Sequence, residues 1–75
     1  MDEPTKEEKI NFVHYFVRLL LNEGETFFYS GDLMQDYQII KGTLEHQGYW
    51  AGNKYRYYFD QDYNISHVEE RKFGE

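Results

Sequence analysis

The chain has no cysteine, no long apolar run and few positive charges. Without cysteine it can form no disulfide framework, no zinc-thiolate site and no thiol nucleophile. The longest uninterrupted apolar run is Leu19 to Leu21, far short of the roughly 20 residues that a transmembrane helix needs. The first residues are acidic and polar, whereas a signal peptide would be basic and then apolar, so we expect a cytoplasmic protein.

Signatures of catalysis are also missing from the sequence. The six glycines are scattered singly through the chain, so no glycine-rich loop is available to bind phosphate. Ser30 and Ser66 lie outside any nucleophile motif such as Gly-x-Ser-x-Gly, and both are explained as caps of helices. We therefore expect no enzyme and no bound cofactor.

Two patterns could suggest a metal site, and neither is complete. The Asp60-x-Asp62-x-Asn64 pattern matches the first three ligand positions of a calcium loop, but Ile65 occupies the sixth position and Arg71 the twelfth, where glycine and glutamate are needed. The histidines have no pair at the i, i+4 spacing that would present two imidazoles on one helix face; they are His14, His46 and His67. We expect no metal ligands.

Aromatic side chains make up 20% of the 75 residues. A chain this short forms one domain, residues 1–75, and buries only about 60% of its unfolded surface. Aromatic rings supply roughly 150 to 250 Å² of burial each, so we expect them to dominate a small core. A tyrosine can bury its ring while its hydroxyl stays in water, which allows a ring-rich chain to keep a low mean hydropathy.

Negative charge is concentrated at the two ends of the chain. The formal net charge is -6, with acidic segments at residues 1–9 and 60–75. The middle of the chain carries a small positive excess from Lys41, Lys54 and Arg56. Nucleic acid repels such a protein overall, although the local distribution of charge can outweigh the sum.

Helical signals are strong in the first two thirds of the chain. A capping box, Thr5-x-x-Glu8, precedes apolar residues at steps of three and four, and Gly24 is suited to the left-handed end position. These signals predict a helix over residues 6–22. A second helix over residues 33–47 follows from the spacing of Leu33, Tyr37, Ile40 and Leu44, with Ser30 or Asp32 as its cap.

Three segments have strand character. We expect a short strand at residues 26–29 and an aromatic hairpin with strands at 49–51 and 54–60 and a tight turn at 51–53. Alternation then places one set on the core side and another on the outer side. The core set is Tyr55, Tyr57 and Phe59, and the outer set is Trp50, Lys54, Arg56 and Tyr58. Residues 61–75 form an acidic C-terminal segment that could be a short helix over 67–73 or an edge strand, beyond an ordered core at about 5–60.

The order helix, short strand, helix and aromatic hairpin resembles that of a winged-helix domain. The segment LEHQGYWAGNKYRYYF looks like the third helix of such a domain running into a wing. Two features depart from the family: residues 30–47 look like one helix instead of a pair, and this helix carries a single lysine. The resemblance implies a small α+β domain, with two main helices packed on a short antiparallel sheet and a C-terminal hairpin.

Two binding functions fit these features. The first is a non-enzymatic protein-interaction module of the adaptor, regulator or inhibitor kind, comparable to small acidic inhibitor proteins of phages, with a partner that is basic or itself binds nucleic acid. The alternative is a winged-helix regulator that binds nucleic acid through cations and exposed rings. Both use the same candidate residues, which are Trp50, Lys54, Arg56, Tyr58 and Lys41. An edge strand on so small a sheet also leaves a homodimer open.

Overall fold

The computed structural model describes residues 3–71, which form two helices followed by three strands. Residues 1–2 and 72–75, with the acidic side chains of Asp2 and Glu75, lie outside the described residues. The elements in chain order are α1 (Lys6–Asn22), α2 (Leu33–Gln47), β1 (Tyr49–Ala51), β2 (Tyr55–Phe59) and β3 (Ile65–Glu70).

Both helices begin and end where local chemistry requires. Thr5 and Glu8 form a complete capping box at the start of α1, and the Asp32 side chain accepts a hydrogen bond from the Met34 amide at the start of α2. Gly48 ends α2 in the left-handed conformation with φ of 85°, which glycine adopts without steric cost. The predicted limits of both helices are confirmed, and Asp32 is the cap of α2.

The core lies between the helices and one face of the sheet. Among residues 3–71, six apolar side chains are buried, four from the stripe along α1, one from α2 and one from β2: Val13, Phe16, Val17, Leu20, Ile40 and Tyr57. Half-buried rings surround this cluster, and Phe16 contacts both Phe59 and Trp50 with ring centroids 5.2 Å apart. Aromatic side chains thus supply much of the core, as the composition predicts.

The three strands form one antiparallel sheet in the order β1-β2-β3. The Gly52 amide donates to the Tyr55 carbonyl at 2.8 Å, so the hairpin loop consists of the two residues 53–54. This loop pairs Trp50 with Tyr57. An irregularity between Tyr58 and Phe59 shifts the register of β2 against β3.

The expected strand at residues 26–29 is wrong. This segment lies outside the sheet and has no regular secondary structure, and side chains hold it at both ends. The carboxylate of Glu25 accepts hydrogen bonds from the Asn53 amide and the Tyr57 hydroxyl, while the Ser30 amide donates to Asp36. Phe27 packs against Trp50 at 5.8 Å between ring centroids. Contacts of side chains therefore replace the backbone pairing that the sequence pattern predicts.

The third strand comes from the C-terminal segment, whose structure the sequence left open. Residues 65–70 pair with β2 along its whole length, and the Arg71 amide donates to the Lys54 carbonyl at 2.7 Å. The C-terminal segment therefore contributes a strand to the sheet. The alternative was a helix over residues 67–73. Residues 67–70 of that range belong to β3 and Arg71 follows the strand, while residues 72–73 lie outside the described residues.

The protein is a small α+β domain with two helices packed on a three-stranded antiparallel sheet, as predicted. α2 runs as one helix from Leu33 to Gln47, as the sequence indicates, and no strand lies between α1 and α2, so the structure departs from the winged-helix order of elements at both points. Neither helix of the described residues is long and apolar enough to cross a lipid bilayer.

Candidate partner-binding surface

The outer sheet face, which is turned away from both helices, carries a continuous set of aromatic and charged side chains. Alternation along each strand and the observed register place five of them together: Tyr49, Arg56, Tyr58, His67 and Glu69. The core side chains Tyr57 and Trp50 point to the opposite face, where α1 and α2 pack. The outer sheet face therefore forms a surface of the domain.

Contacts across the strands hold these side chains in place. Tyr58 lies in the centre of one row, with its ring stacked on His67 at 4.3 Å between centroids and an angle of 5° between planes. Tyr49 lies on its other side, 5.5 Å from the Tyr58 ring. The Arg56 guanidinium lies 5.0 Å from the centre of the Tyr49 ring, a cation-π contact. Cross-strand pairs of this kind stabilise a sheet and restrict the rotamers of its exposed side chains.

Opposite charges lie side by side on this face. The Tyr58 hydroxyl donates to the Glu69 carboxylate at 3.0 Å, and this hydrogen bond, with smaller contributions from desolvation and charge, raises the pKa of Tyr58 while the neighbouring Arg56 opposes the shift. The second carboxylate oxygen of Glu69 lies 3.8 Å from His67 Nε2. The face thus combines apolar ring surface with one cation and one anion, and their charges offset each other.

Trp50 does not belong to this face, so its expected placement on the outer side is wrong. A three-residue turn at residues 51–53 would have aligned Trp50 with Lys54 and Arg56. The two-residue loop aligns it with Tyr57, and a change of one residue in register reverses the side of every residue in a strand. Trp50 instead packs half-buried between Phe16 and Phe27.

The expected core set is only partly correct. Tyr57 is fully buried and Phe59 is half-buried against the core. Tyr55 lies near Tyr57, with 6.3 Å between ring centroids, but it is exposed at the end of β2. It contributes less to the core than alternation alone indicates.

The two candidate lysines are separate from the outer sheet face. Lys41, on α2, lies 4.3 Å from the Tyr63 ring centre and donates a hydrogen bond to the Tyr63 hydroxyl, and it also approaches the Phe12 ring on α1. Desolvation lowers the pKa of Lys41, but the hydrogen bond to Tyr63 and the electrostatic interactions with Tyr63, Tyr37 and Glu45 together outweigh it and raise that pKa overall. Lys54 is exposed in the hairpin loop. Of the five candidates, only Arg56 and Tyr58 lie together on the outer sheet face.

The acidic pattern at residues 60–64 caps a turn. The Asp60 carboxylate accepts hydrogen bonds from the backbone amides of Asp62 at 2.9 Å and Asn64 at 3.0 Å, and Tyr63 between them has a positive φ of 62°. This is the local bonding that makes Asp common in turns. Within residues 3–71, no three His, Asp or Glu side chains are grouped so as to hold a metal ion.

Three residues of the surface were missed from the sequence: Tyr49 of β1, and His67 and Glu69 of β3. Tyr49 alternates with Trp50, so a hairpin loop of two residues would have predicted that Tyr49 lies on the outer sheet face. The signal for His67 was the alternation of Tyr63, Ile65 and His67, one of the two interpretations left open. His67 reaches the surface because β3 pairs with β2 and aligns it with Tyr58.

No protein-family model matches the chain, and neither the curated proteins nor the solved structures include a significant match to it.

Proposed function

We propose that the protein is a small non-enzymatic protein-interaction module whose outer sheet face binds a positively charged surface of another protein. The observation that carries the proposal is the composition and order of that face: tyrosine, arginine and histidine side chains are held by mutual contacts on a sheet whose other face the helices cover. Tyrosine and arginine are enriched in the centres of protein interfaces.

Preorganisation supports a binding role for these residues. Tyr58 and Arg56 are each restrained by neighbours before any partner arrives, so less rotamer freedom is lost on binding. The net charge of -6 supports a basic partner, because complementary charge accelerates encounter and selects among partners. A regulator or inhibitor of a nucleic-acid-binding protein fits this description.

The nucleic-acid alternative receives less support from the geometry. It requires several cations beside exposed rings, but Lys41 is engaged with Tyr63 and Trp50 packs toward the core. The remaining cation, Arg56, shares the outer sheet face with the carboxylate of Glu69. Because phosphate binding grows with the number of cations that contact the backbone, a single arginine beside a glutamate contributes little.

The proposal is tested by affinity capture from host lysate with matched variants. The variant is Arg56→Ala with Tyr58→Ala, and the control removes the same residue types elsewhere, Arg18→Ala with Tyr29→Ala, since both of these are exposed outside the sheet. We expect the wild type and the control to capture one partner protein in equal amounts, and the variant to capture at least about tenfold less of it. Equal retention by all three proteins would reject the outer sheet face.

Salt dependence and nuclease treatment identify the kind of partner. A basic protein should elute as salt rises from about 0.05 to 0.5 M, because screening weakens attraction between exposed charges, and nuclease should leave capture unchanged. Purified protein should show no binding to labelled single-stranded or duplex DNA oligonucleotides. Tight DNA binding that falls steeply with salt would instead establish the nucleic-acid function.

A further inference from the structure

One edge of the sheet is open. β3 pairs with β2 on one side, and within residues 3–71 no segment pairs with its other side. β3 is the longest of the three strands, with six residues, and its sequence ISHVEE contains neither proline nor lysine, which commonly block strand edges. The opposite edge strand, β1, has only three residues, and Phe27 packs against its Trp50. The free side of β3, the β3 edge, is therefore the more accessible of the two.

The backbone groups along the β3 edge follow from the hydrogen bond that ends the strand. The Arg71 amide donates to a carbonyl of the hairpin loop at 2.7 Å, so Arg71 faces β2. In an antiparallel ladder every second residue bonds to the same neighbour, which makes Glu69 and His67 face β2 as well. Val68 and Glu70 therefore direct their N–H and C=O groups away from the sheet. No described segment bonds to these four groups, which are what a further strand requires.

An apolar side chain of β3 is exposed on the core side of the sheet. Val68 is aligned with Tyr57, and alternation places both on the side where the helices pack. Tyr57 is fully buried, whereas Val68 is 41% exposed. A strand added beside β3 would cover Val68, and removing apolar surface from water is favourable.

We propose that the β3 edge binds the β3 edge of a second copy of this chain, antiparallel and about a two-fold axis at Val68. The outward N–H and C=O groups of the two strands bond to each other, as in other cases of strand addition. The two sheets become one continuous sheet, with the helices of both copies on the same side. The axis at Val68 also brings together the two side chains that each sheet leaves exposed on its core side.

The charges along β3 select this register. Only outward-facing residues bond across the interface, so Val68 aligns with Val68 or with a residue two positions away. Alignment of Val68 with Glu70 would place Glu69 opposite Glu69 of the other copy, and like charges directly opposite each other destabilise a sheet. Alignment with Ser66 would separate the two Val68 side chains. With the axis at Val68, Glu69 lies opposite His67 and Glu70 opposite Ser66, so no two acidic side chains are directly opposed.

Unlike groups also meet elsewhere along the interface. The Glu69 carboxylate accepts from the Tyr58 hydroxyl of its own copy at 3.0 Å, and its oxygens can accept a further hydrogen bond from an imidazole N–H of His67 in the other copy. At the two ends, Arg71 of each copy approaches the acidic turn at residues 60–64 of the other, because the strands are antiparallel. Cations therefore face acidic groups across the β3 edge, and not their own equivalents.

The net charge of -6 on each copy opposes association at longer range. Salt screens this repulsion, so the dimer should strengthen as ionic strength rises from about 0.05 to 0.5 M. The binding of a basic partner through the outer sheet face should weaken over the same range.

The experiment is sedimentation equilibrium of the purified chain over about 5 to 500 µM, because dimerisation follows mass action. We expect a reversible dimer for the wild type and at least about tenfold weaker association for Val68→Pro, since each copy loses an outward N–H that bonds to the other. Proline is tolerated where the N–H of an edge strand points away from the sheet, so the pairing with β2 should persist. Circular dichroism and thermal unfolding verify that each variant is folded.

A second variant introduces charge at the axis. Val68→Glu places two glutamates opposite each other and should also weaken the dimer at least about tenfold. The matched control is Gln38→Glu, which makes the same change of charge at an exposed position on α2 and should dimerise nearly as the wild type does.

Amide hydrogen exchange provides an independent readout of the same edge. The amides of Val68 and Glu70 should exchange rapidly at low protein concentration and slowly at high concentration, whereas those of His67 and Glu69, which bond to β2, should be protected at both. This pattern identifies the strand edge and the outward-facing residues, which the mass of the dimer does not.

The results that overturn the proposal are distinct. A wild type that stays monomeric at the highest concentration does so, and if Val68→Pro then loses a protein captured from lysate, the β3 edge binds a strand of another protein. A dimer that both Val68 variants leave intact, that Gln38→Glu weakens as much as Val68→Glu does, or that leaves the Val68 and Glu70 amides unprotected also overturns it. Capture through the outer sheet face is tested separately, with substitutions on β2.

Discussion

Replacing Glu25 by alanine should destabilise the domain more than any loss of a surface charge. Glu25, which is only 7% exposed, joins the segment at residues 26–29 to the hairpin. One carboxylate oxygen accepts from the Asn53 amide and the other from the Tyr57 hydroxyl, each at 2.9 Å. Removing the side chain breaks both hydrogen bonds at once.

The two hydrogen bonds differ in what their loss costs. Asn53 is exposed, so water can replace the acceptor of its amide at little cost. Tyr57 has no exposed surface, so its hydroxyl would remain buried without a partner, which costs about 1 to 3 kcal/mol. With the loss of packing around the Glu25 methylenes, we expect the free energy of unfolding to fall by about 2 to 4 kcal/mol. That is a large share of the roughly 4 to 11 kcal/mol typical of a 75-residue domain.

Urea unfolding followed by Trp50 emission measures this change, because Trp50 is the only tryptophan and lies near the Glu25 contacts. Tyr57→Phe and the double variant complete a mutant cycle, in which we expect a coupling energy of about 1 kcal/mol or more between Glu25 and Tyr57. A loss below about 0.5 kcal/mol in Glu25→Ala, or a coupling energy near zero, would refute the assignment of Glu25 as the side chain that holds the segment to the hairpin.

Three further predictions concern the same hairpin and the turn after it. Gly52→Ala should lower the free energy of unfolding by about 1 to 3 kcal/mol in urea titrations, because the new Cβ would lie 2.6 Å from the Glu25 carboxylate. The control is Gly42→Ala, inside α2, where a new Cβ would meet no atom within 4 Å, and it should raise the free energy of unfolding by about 0.5 to 1 kcal/mol. Equal effects of the two substitutions would contradict the argument. Burial and the hydrogen bond to Glu25 raise the pKa of Tyr57. The contribution of Tyr57 to the free energy of unfolding is therefore complete below the unfolded pKa of about 10 and declines above it by up to about 1.4 kcal/mol per pH unit. Urea midpoints at alkaline pH should fall more steeply in the wild type than in Tyr57→Phe, and parallel curves would count against this role of Tyr57. Asp60→Ala should cost about 1 to 2 kcal/mol by thermal unfolding, because two turn amides lose their acceptor; Asp60→Asn keeps an acceptor oxygen and should cost less.

Residues close together in the sequence determined both helices. The capping box at Thr5, the apolar stripe of α1 and the glycine at position 48 act within a few residues of each other, so the limits of α1 and α2 could be read directly. Composition likewise indicated a core rich in aromatic rings, since a short chain buries enough surface only with large side chains. The hairpin was also predictable, because its strands and turn are close together in the sequence, but the length of its loop was not.

The tertiary structure decided the sheet and the surface. The sequence predicted a turn at residues 51–53, but the hydrogen bond between Gly52 and Tyr55 leaves a two-residue loop, which turns Trp50 toward the core and leaves Tyr49 and Tyr58 outside. Pairing with β2 was available both to residues 26–29 and to the C-terminal segment. The side chain of Glu25 joins the first to the hairpin by hydrogen bonds, and the second pairs with β2 and aligns His67 with Tyr58. Strand pairing joins distant parts of the chain, and a shift of one residue reverses every side chain, so only the folded arrangement defines the outer sheet face.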